Sequence, residues 1–467
     1  MRNSTIDLGS GNVFRLFRMY FVPTLLGMLG MSAVTAVDGI FVGHGVGSDG
    51  IAAVNIVIPV YMFFTGVGLM VGIGCSVVAS IHMSMGKERS ARLNVTQAML
   101  AVTFFAVVLS VLMLAWPERT ALLLGASEEL LPQVVDYTLW FVPSWVFQMW
   151  ITVALFVIRL DGAPKLAMAI SLIAALVNVV LDWLFIFPFG WGVMDAGFAT
   201  SVSIVVGGVI AVAYLGRYAR RLRFVRLKWS YKSYRLSVRN LCYQCRIGSS
   251  ALLGEATLAI LMFMGNQVFM RYLGDDGVGA FGIACYYTPF VFMVGNAIAQ
   301  SAQPIISYNF GLGFGERVRN VEKIALLTAM VCGGIVTAVF MLFPEFLVGL
   351  FVDTSGEAAR IAIAGFLYFS LAFICFIVNL TVVGYFQSVE RVYPATFFAL
   401  LRGMLLLVPS FLLLPLVLGE RGIWLALPLS EILTTVVVVL YFIFRRNTKK
   451  EGQIALPLFS VITGKSD

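Results

Sequence analysis

Three carboxylates fall inside long apolar stretches of this chain: Asp38, Asp182 and Glu255. An ionised carboxylate in hydrocarbon is expensive. One placed there pairs with a neighbour, lines a wet cavity, or carries protons or ions. Asp182 follows Asn178 by four residues, which puts both on one face of a helix. If Asp38 and Asp182 approach each other, one proton can be shared and the titration belongs to the pair. Glu255 lies in GSSALLGEATLAILMFMGN, apolar on both sides, and could attract a cationic substrate or carry a second proton. Met262, Phe263 and Met264 beside it supply adaptable thioethers and an aromatic face, a lining suited to organic cations. Arg402 and Glu431, also within apolar stretches, could neutralise each other and read as structural.

The elements that must position these groups are membrane spans. The chain is 60% hydrophobic and 12% charged, with mean hydropathy +0.94. A soluble domain carries roughly twice that charged fraction. A spanning helix needs about 20 largely apolar residues. Twelve stretches qualify: 14–42, 51–81, 93–116, 133–158, 166–188, 196–216, 247–271, 278–308, 322–344, 358–388, 392–417 and 422–444. Arg15 and Arg18 lead into a stretch too long for the apolar core of a cleavable signal peptide, so the first span is expected to remain.

Charge sets the orientation. With the N-terminus in the cytoplasm, all but five of the 32 Lys and Arg residues fall on the cytoplasmic side. Arg119, Arg271, Arg360 and Arg421 fall outside and Arg402 lies within a span. This asymmetry is the positive-inside rule, and with twelve spans it places both termini in the cytoplasm. The net charge of +8 therefore reports topology and contact with anionic lipid, and no nucleic-acid partner is expected. The segment 217–246 holds ten Lys and Arg and no Asp or Glu, and reads as a cytoplasmic linker on the lipid headgroups. Its Cys242 and Cys245 form a single CxxC without a second ligand pair, which is weak for zinc or redox work.

The chain is a tandem repeat. Residues 45–57, GVGSDGIAAVNIV, match 272–284, YLGDDGVGAFGIA, at a shift of 227 residues. The same shift aligns Trp116-Pro117-Glu118 with Phe343-Pro344-Glu345, and a shift of 230 aligns Pro164 with Pro394. Six spans per half give parallel repeats, with the substrate path between the halves. The expected fold is an all-α polytopic membrane protein of twelve transmembrane helices. They form two six-helix bundles related by a pseudo-two-fold axis along the membrane normal. The expected domains are 1–216 and 247–445, joined by the basic linker 217–246 and followed by a cytoplasmic tail at 446–467.

These features together resemble the multidrug and toxic compound extrusion (MATE) family. The resemblance rests on Pro23 and Asp38 in the first span, VDGIFVGHGVGSDGIAAVNIVIPV at 37–60, and AQSAQPIISYNFG at 299–311 with Gln303-Pro304, and it covers about 14–445. Within the family the N-terminal half is similar to the DNA-damage-inducible F-type branch. That similarity implies a cation-coupling cluster of Asp38, Tyr137, Asn178, Asp182 and Thr200; LVNVVLDWLF and AGFAT carry the spacing. Another branch places acids on the seventh and tenth spans. Here Glu255 supplies the first, while FICFIVNLTVVGYF offers Asn379 and no acid, the pattern of a mixed, MepA-type member. Asp38, Asn178, Asp182 and Thr200 together would make an all-oxygen set for a hard cation such as Na⁺, and the choice between Na⁺ and H⁺ stays open at this level. Glu255, Met262 and Asn379 are the substrate-binding candidates. Pro23 breaks one backbone bond and would let the first span bend.

The implied function is a cation-coupled multidrug efflux antiporter of the bacterial inner membrane, working by alternating access on organic, mostly cationic compounds. It needs no cofactor beyond the coupling ion, and a monomer is expected. The alternative is a flippase for lipid-linked oligosaccharides or other lipids. Acids rather than basic residues inside the bundles argue for cationic cargo. A membrane-embedded enzyme would need a polar catalytic cluster near one interface, and none stands out. There is no GxxxxGK[ST], so ATP is not expected to drive the protein directly, and there is no HExxH.

Overall fold

The computed structural model describes residues 7–45, 48–128, 130–185, 193–227 and 230–448; for 34–45, 48–55, 193–196 and 445–448 it describes the backbone alone. Every regular element among the described residues is helical. The first half contains α1 (Val13–Gly45), α2 (Ser48–Ser84), α3 (Glu88–Ala115), α4 (Leu131–Leu160), α5 (Pro164–Leu184) and α6 (Val193–Ala213). A continuous helical run, Tyr231–Gly311, is broken at Gly274, whose φ of 65° and ψ of −154° leave the helical region. It therefore comprises α7 (231–273) and α8 (275–311). Next come α9 (Gly315–Leu342), α10 (Glu357–Phe369 plus Ala372–Ser388, bent by 53°), α11 (Val392–Leu418) and α12 (Glu420–Thr448). Ten helices are individually long and apolar enough to cross a membrane; counting the broken run twice and the bent pair once brings the crossings to twelve, as the hydropathy reading expects.

The sequence repeat reappears in the backbone. Both α3 and α9 are 28 residues long, and each is followed by a short helix with proline at its start, Pro117–Leu123 and Pro344–Gly349. Gly86 and Gly313, the turns leading into α3 and α9, share a left-handed φ of 72° and 79°. The turn after α4 uses Gly162 at φ 88°, and its counterpart after α10 uses Glu390 at φ 54°, a conformation that a side-chain-bearing residue rarely adopts.

The chain divides into two compact units. Among the described residues, the first gathers Asp7 and 22–248, the second 8–21 and 249–448. The start of α1, expected with the first bundle, thus groups with the second unit. Asn309 and Arg317 donate hydrogen bonds to the carbonyls of Leu8 and Gly11 at 2.9 and 2.8 Å, which ties that segment down. The boundary lies one residue before Pro23, which is buried within α1 and has no N–H for the Met19 carbonyl.

Much of the expected linker is regular structure. From Tyr231 onward it is helical and belongs to the first unit. Two glycines allow this helix to cross α2 at very close range. A Cβ on Gly74 would sit 2.0 Å from the Gln244 carbonyl oxygen, and one on Gly248 would sit 1.8 Å from that of Met70. Gln244 also donates to the Asn94 side chain at 2.9 Å, and Asn240 donates to Gln97 at 3.0 Å. The non-helical start of the linker is held by Asp161, whose carboxylate accepts from the Tyr214 hydroxyl and the backbone N–H groups of Arg220, Arg221 and Leu222 at 2.8–3.0 Å.

Candidate functional site

In the first unit, α5 is largely apolar, with Lys165 and Ser171 in its first half, and Asn178 and Asp182 project from one face of its last two turns. Both are buried, and Asp182 is 0% exposed. The Asn178 amide lies 3.4 Å from the Thr200 hydroxyl on α6, a long hydrogen bond in which the nitrogen donates. One turn before Thr200, Gly197 lets α6 lie against Tyr137 of α4; a Cβ there would sit 3.1 Å from the tyrosine ring. Tyr137 is buried and its ring packs tilted against Phe141, at 5.2 Å between centroids. Four of the five cation-coupling candidates therefore lie on α4, α5 and α6 of one compact unit, with Asn178 and Thr200 in direct contact. The side chain of the fifth, Asp38, lies outside the described residues. Such a cluster offers a buried carboxylate and an amide oxygen, with the buried Tyr137 hydroxyl and the half-buried Thr200 hydroxyl. Those groups can exchange a proton or coordinate a hard cation.

The second unit separates the other candidates. Glu255 is half-buried on α7, and no hydrogen bond or ion pair engages it among the described residues. Met262, two turns on, shares its helix face and is also half-buried. Asn379 is elsewhere, in a closed polar network. Its amide donates to the Glu431 carboxylate at 2.7 Å and to the Glu431 carbonyl at 3.0 Å, and its oxygen accepts from Thr435 at 3.0 Å. The other Glu431 oxygen accepts from Arg402 Nη2 at 2.6 Å and Nε at 3.0 Å. Arg402 is 2% exposed and Glu431 0%. The guanidinium lies over Phe376, 4.3 Å from the ring centroid.

The pairing of Arg402 with Glu431 agrees with the sequence reading; the enlistment of Asn379 carries no sequence signal. Local backbone geometry presents the arginine. Residues Leu401–Leu405 form a π turn within α11, which adds one residue to the helix and shifts the faces beyond it. Gly403 in that turn abuts Thr257 of α7, so α11 approaches the helix that carries Glu255. Among the described residues no group of three or more His, Cys, Asp or Glu side chains could hold a metal ion. Cys242 and Cys245 are free thiols.

The profile of the MatE family matches this chain twice, at residues 23–184 and 252–412, once in each half of the repeat. The chain is 23% identical over 457 residues to the multidrug export protein MepA of Staphylococcus saprophyticus, covering 95% of this chain and 97% of that one. It is equally 23% identical over 439 residues to a FAD transporter of Shewanella oneidensis, covering 91% and 93%. Among solved structures, a multidrug resistance MATE family transporter of the MOP superfamily in an outward-facing conformation superposes with a TM-score of 0.88. It covers 96% of this chain and 99% of its own at 20% identity, a likeness of fold.

Proposed function

The chain belongs to the MatE family, whose members are transporters and not enzymes, and on that premise we propose that it is a cation-coupled antiporter exporting organic, mostly cationic compounds by alternating access. The observation that carries the coupling half of this reading is Asp182. It is a fully buried carboxylate in a spanning helix, one turn from the Asn178–Thr200 contact. Tyr137 on α4 and Asp38 on α1 complete the proposed cluster. Entry of H⁺ or Na⁺ into it favours the state that releases cargo outward. Asn178, Thr200, Asp38 and Asp182 would be the oxygen ligands if the ion is Na⁺. Pro23 in α1 supports a bend there, since the bond it removes weakens the helix at that point.

Cargo recognition is assigned to Glu255 with Met262 on α7, because a half-buried carboxylate without a partner among the described residues attracts a cation. Asn379, engaged by Glu431 and Thr435, is left out of the proposed cargo lining. The protein would work as a monomer in the bacterial cytoplasmic membrane, with both termini inside, as the charge asymmetry indicates. The FAD transporter of Shewanella oneidensis motivates a second reading, export of a flavin nucleotide. Glu255 would repel its phosphates.

Flux into proteoliposomes tests both readings. A cationic dye and FAD are each offered under a pH gradient alone, a Na⁺ gradient alone, and neither. The expected result is uphill dye transport under one gradient, lost in Asp182→Asn at normal expression. Gradient-independent dye flux, or uphill transport of FAD in place of dye, would overturn the proposal.

A further inference from the structure

The second unit carries a cavity of about 840 Å³ at one end of its helices, away from the groups considered so far. Its charged lining comes from the short helix after α9 (Glu345), the start of α10 (Glu357, Arg360) and the start of α12 (Glu420, Arg421). Two of the four basic residues that the charge asymmetry leaves outside, Arg360 and Arg421, thus converge on one cavity. Glu357 and Arg360 form a solvent-exposed pair at 3.0 Å. Arg421, Glu420 and Glu345 have no hydrogen-bond or ion-pair partner among the described residues. The wall changes character deeper down. Ile361, Ile363 and Leu367 line it along α10, with Leu273 and Trp424. The indole is held by close packing, since a Cβ on Gly365 would sit 2.1 Å from its ring. Tyr368 also lines the cavity, and Trp and Tyr favour the boundary between hydrocarbon and water.

The signs and their order select the occupant. Three carboxylates would repel a simple anion, and two guanidinium groups would repel a simple cation. A molecule carrying a phosphate and an ammonium on one short arm satisfies both. An apolar body below that arm would follow the Ile363–Leu367 wall into the bilayer. The volume lies within the range of small-molecule sites. We propose that this cavity binds the headgroup of a zwitterionic aminophospholipid of the outer leaflet, with Arg421 and Arg360 at the phosphate and Glu345 and Glu420 at the primary amine. Only the choice of leaflet rests on the membrane orientation given under the proposed function; the site itself does not.

Native mass spectrometry of the delipidated, full-length protein tests this without drug or gradient, so its outcome is independent of the proposed transport function. Phosphatidylethanolamine, phosphatidylcholine and phosphatidylglycerol are titrated separately. The wild type should retain one phosphatidylethanolamine about tenfold more tightly than either other lipid, because choline lacks N–H donors and glycerol lacks the cation. Arg421→Ala and Glu345→Gln should each remove about that preference, with Arg421→Lys restoring part of it. An unchanged thermal midpoint in each variant excludes misfolding. Water-soluble glycerophosphoethanolamine should compete poorly. Equal retention of the three lipids, a preference undiminished in both variants, or competition by the soluble headgroup as strong as by the lipid would overturn the assignment.

Discussion

Removing the charge of Glu431 should destabilise the second unit more than any other single isosteric change within it. In Glu431→Gln the new side-chain oxygen can still accept from Arg402, but its amide then faces the Asn379 nitrogen, now 2.7 Å from a carboxylate oxygen. Two donors would confront each other beside a guanidinium that is 2% exposed. Breaking one side of a buried ion pair costs about 3–5 kcal/mol. The Phe376 face, 4.3 Å from the guanidinium, offsets about 1 kcal/mol of that. The expected loss is therefore about 2–4 kcal/mol. Replacing both partners, Arg402→Met with Glu431→Leu, removes the stranded charge. Asn379 would keep its bond to the main-chain carbonyl of residue 431, so the double variant should lie within about 1 kcal/mol of wild type. Denaturant titration followed by circular dichroism, with Arg402→Met and Glu431→Leu also measured singly to close a double-mutant cycle, measures this coupling. Additive losses, or a Glu431→Gln variant within about 0.5 kcal/mol of wild type, would refute the claim that the pair acts as one buried unit.

Three further outcomes are expected. Glu255→Gln should weaken binding of a cationic dye by about 1–4 kcal/mol and leave a neutral drug nearly unaffected, read by equilibrium binding to purified protein; equal losses would assign Glu255 to packing. Asp161→Ala orphans the N–H groups of Arg220, Arg221 and Leu222. Trypsin should then cut the basic segment near Arg217–Arg226 faster than in wild type, and an unaltered digestion pattern would show that the carboxylate does not hold it. Gly248→Leu should abolish accumulation of folded protein, because its Cβ would meet the Met70 carbonyl, whereas Gly334→Leu, with open space around it, should accumulate normally. Comparable yields of the two in detergent extracts would contradict the close crossing of α2 and α7.

What the sequence alone determined is whatever depends on one segment at a time. Twelve apolar stretches must become helices, because in lipid every backbone group has to bond within its own segment. Matched prolines and turn residues exposed the repeat that α3 and α9 then display. The Asn178–Asp182 spacing was legible because a helical turn is a local property. Only the tertiary structure decided which side chains meet. A helix apolar all round carries no preferred face, so its rotation and tilt come from packing against its neighbours. Asn379 meeting Glu431, Gly74 meeting Gln244, and Asp161 reaching Arg220–Leu222 each depend on two helix rotations at once. The start of α1 grouping with the second unit depends on Asn309 and Arg317, which lie some three hundred residues away in the chain. Spacing along the chain has no term for such distances; close packing of preformed helices does.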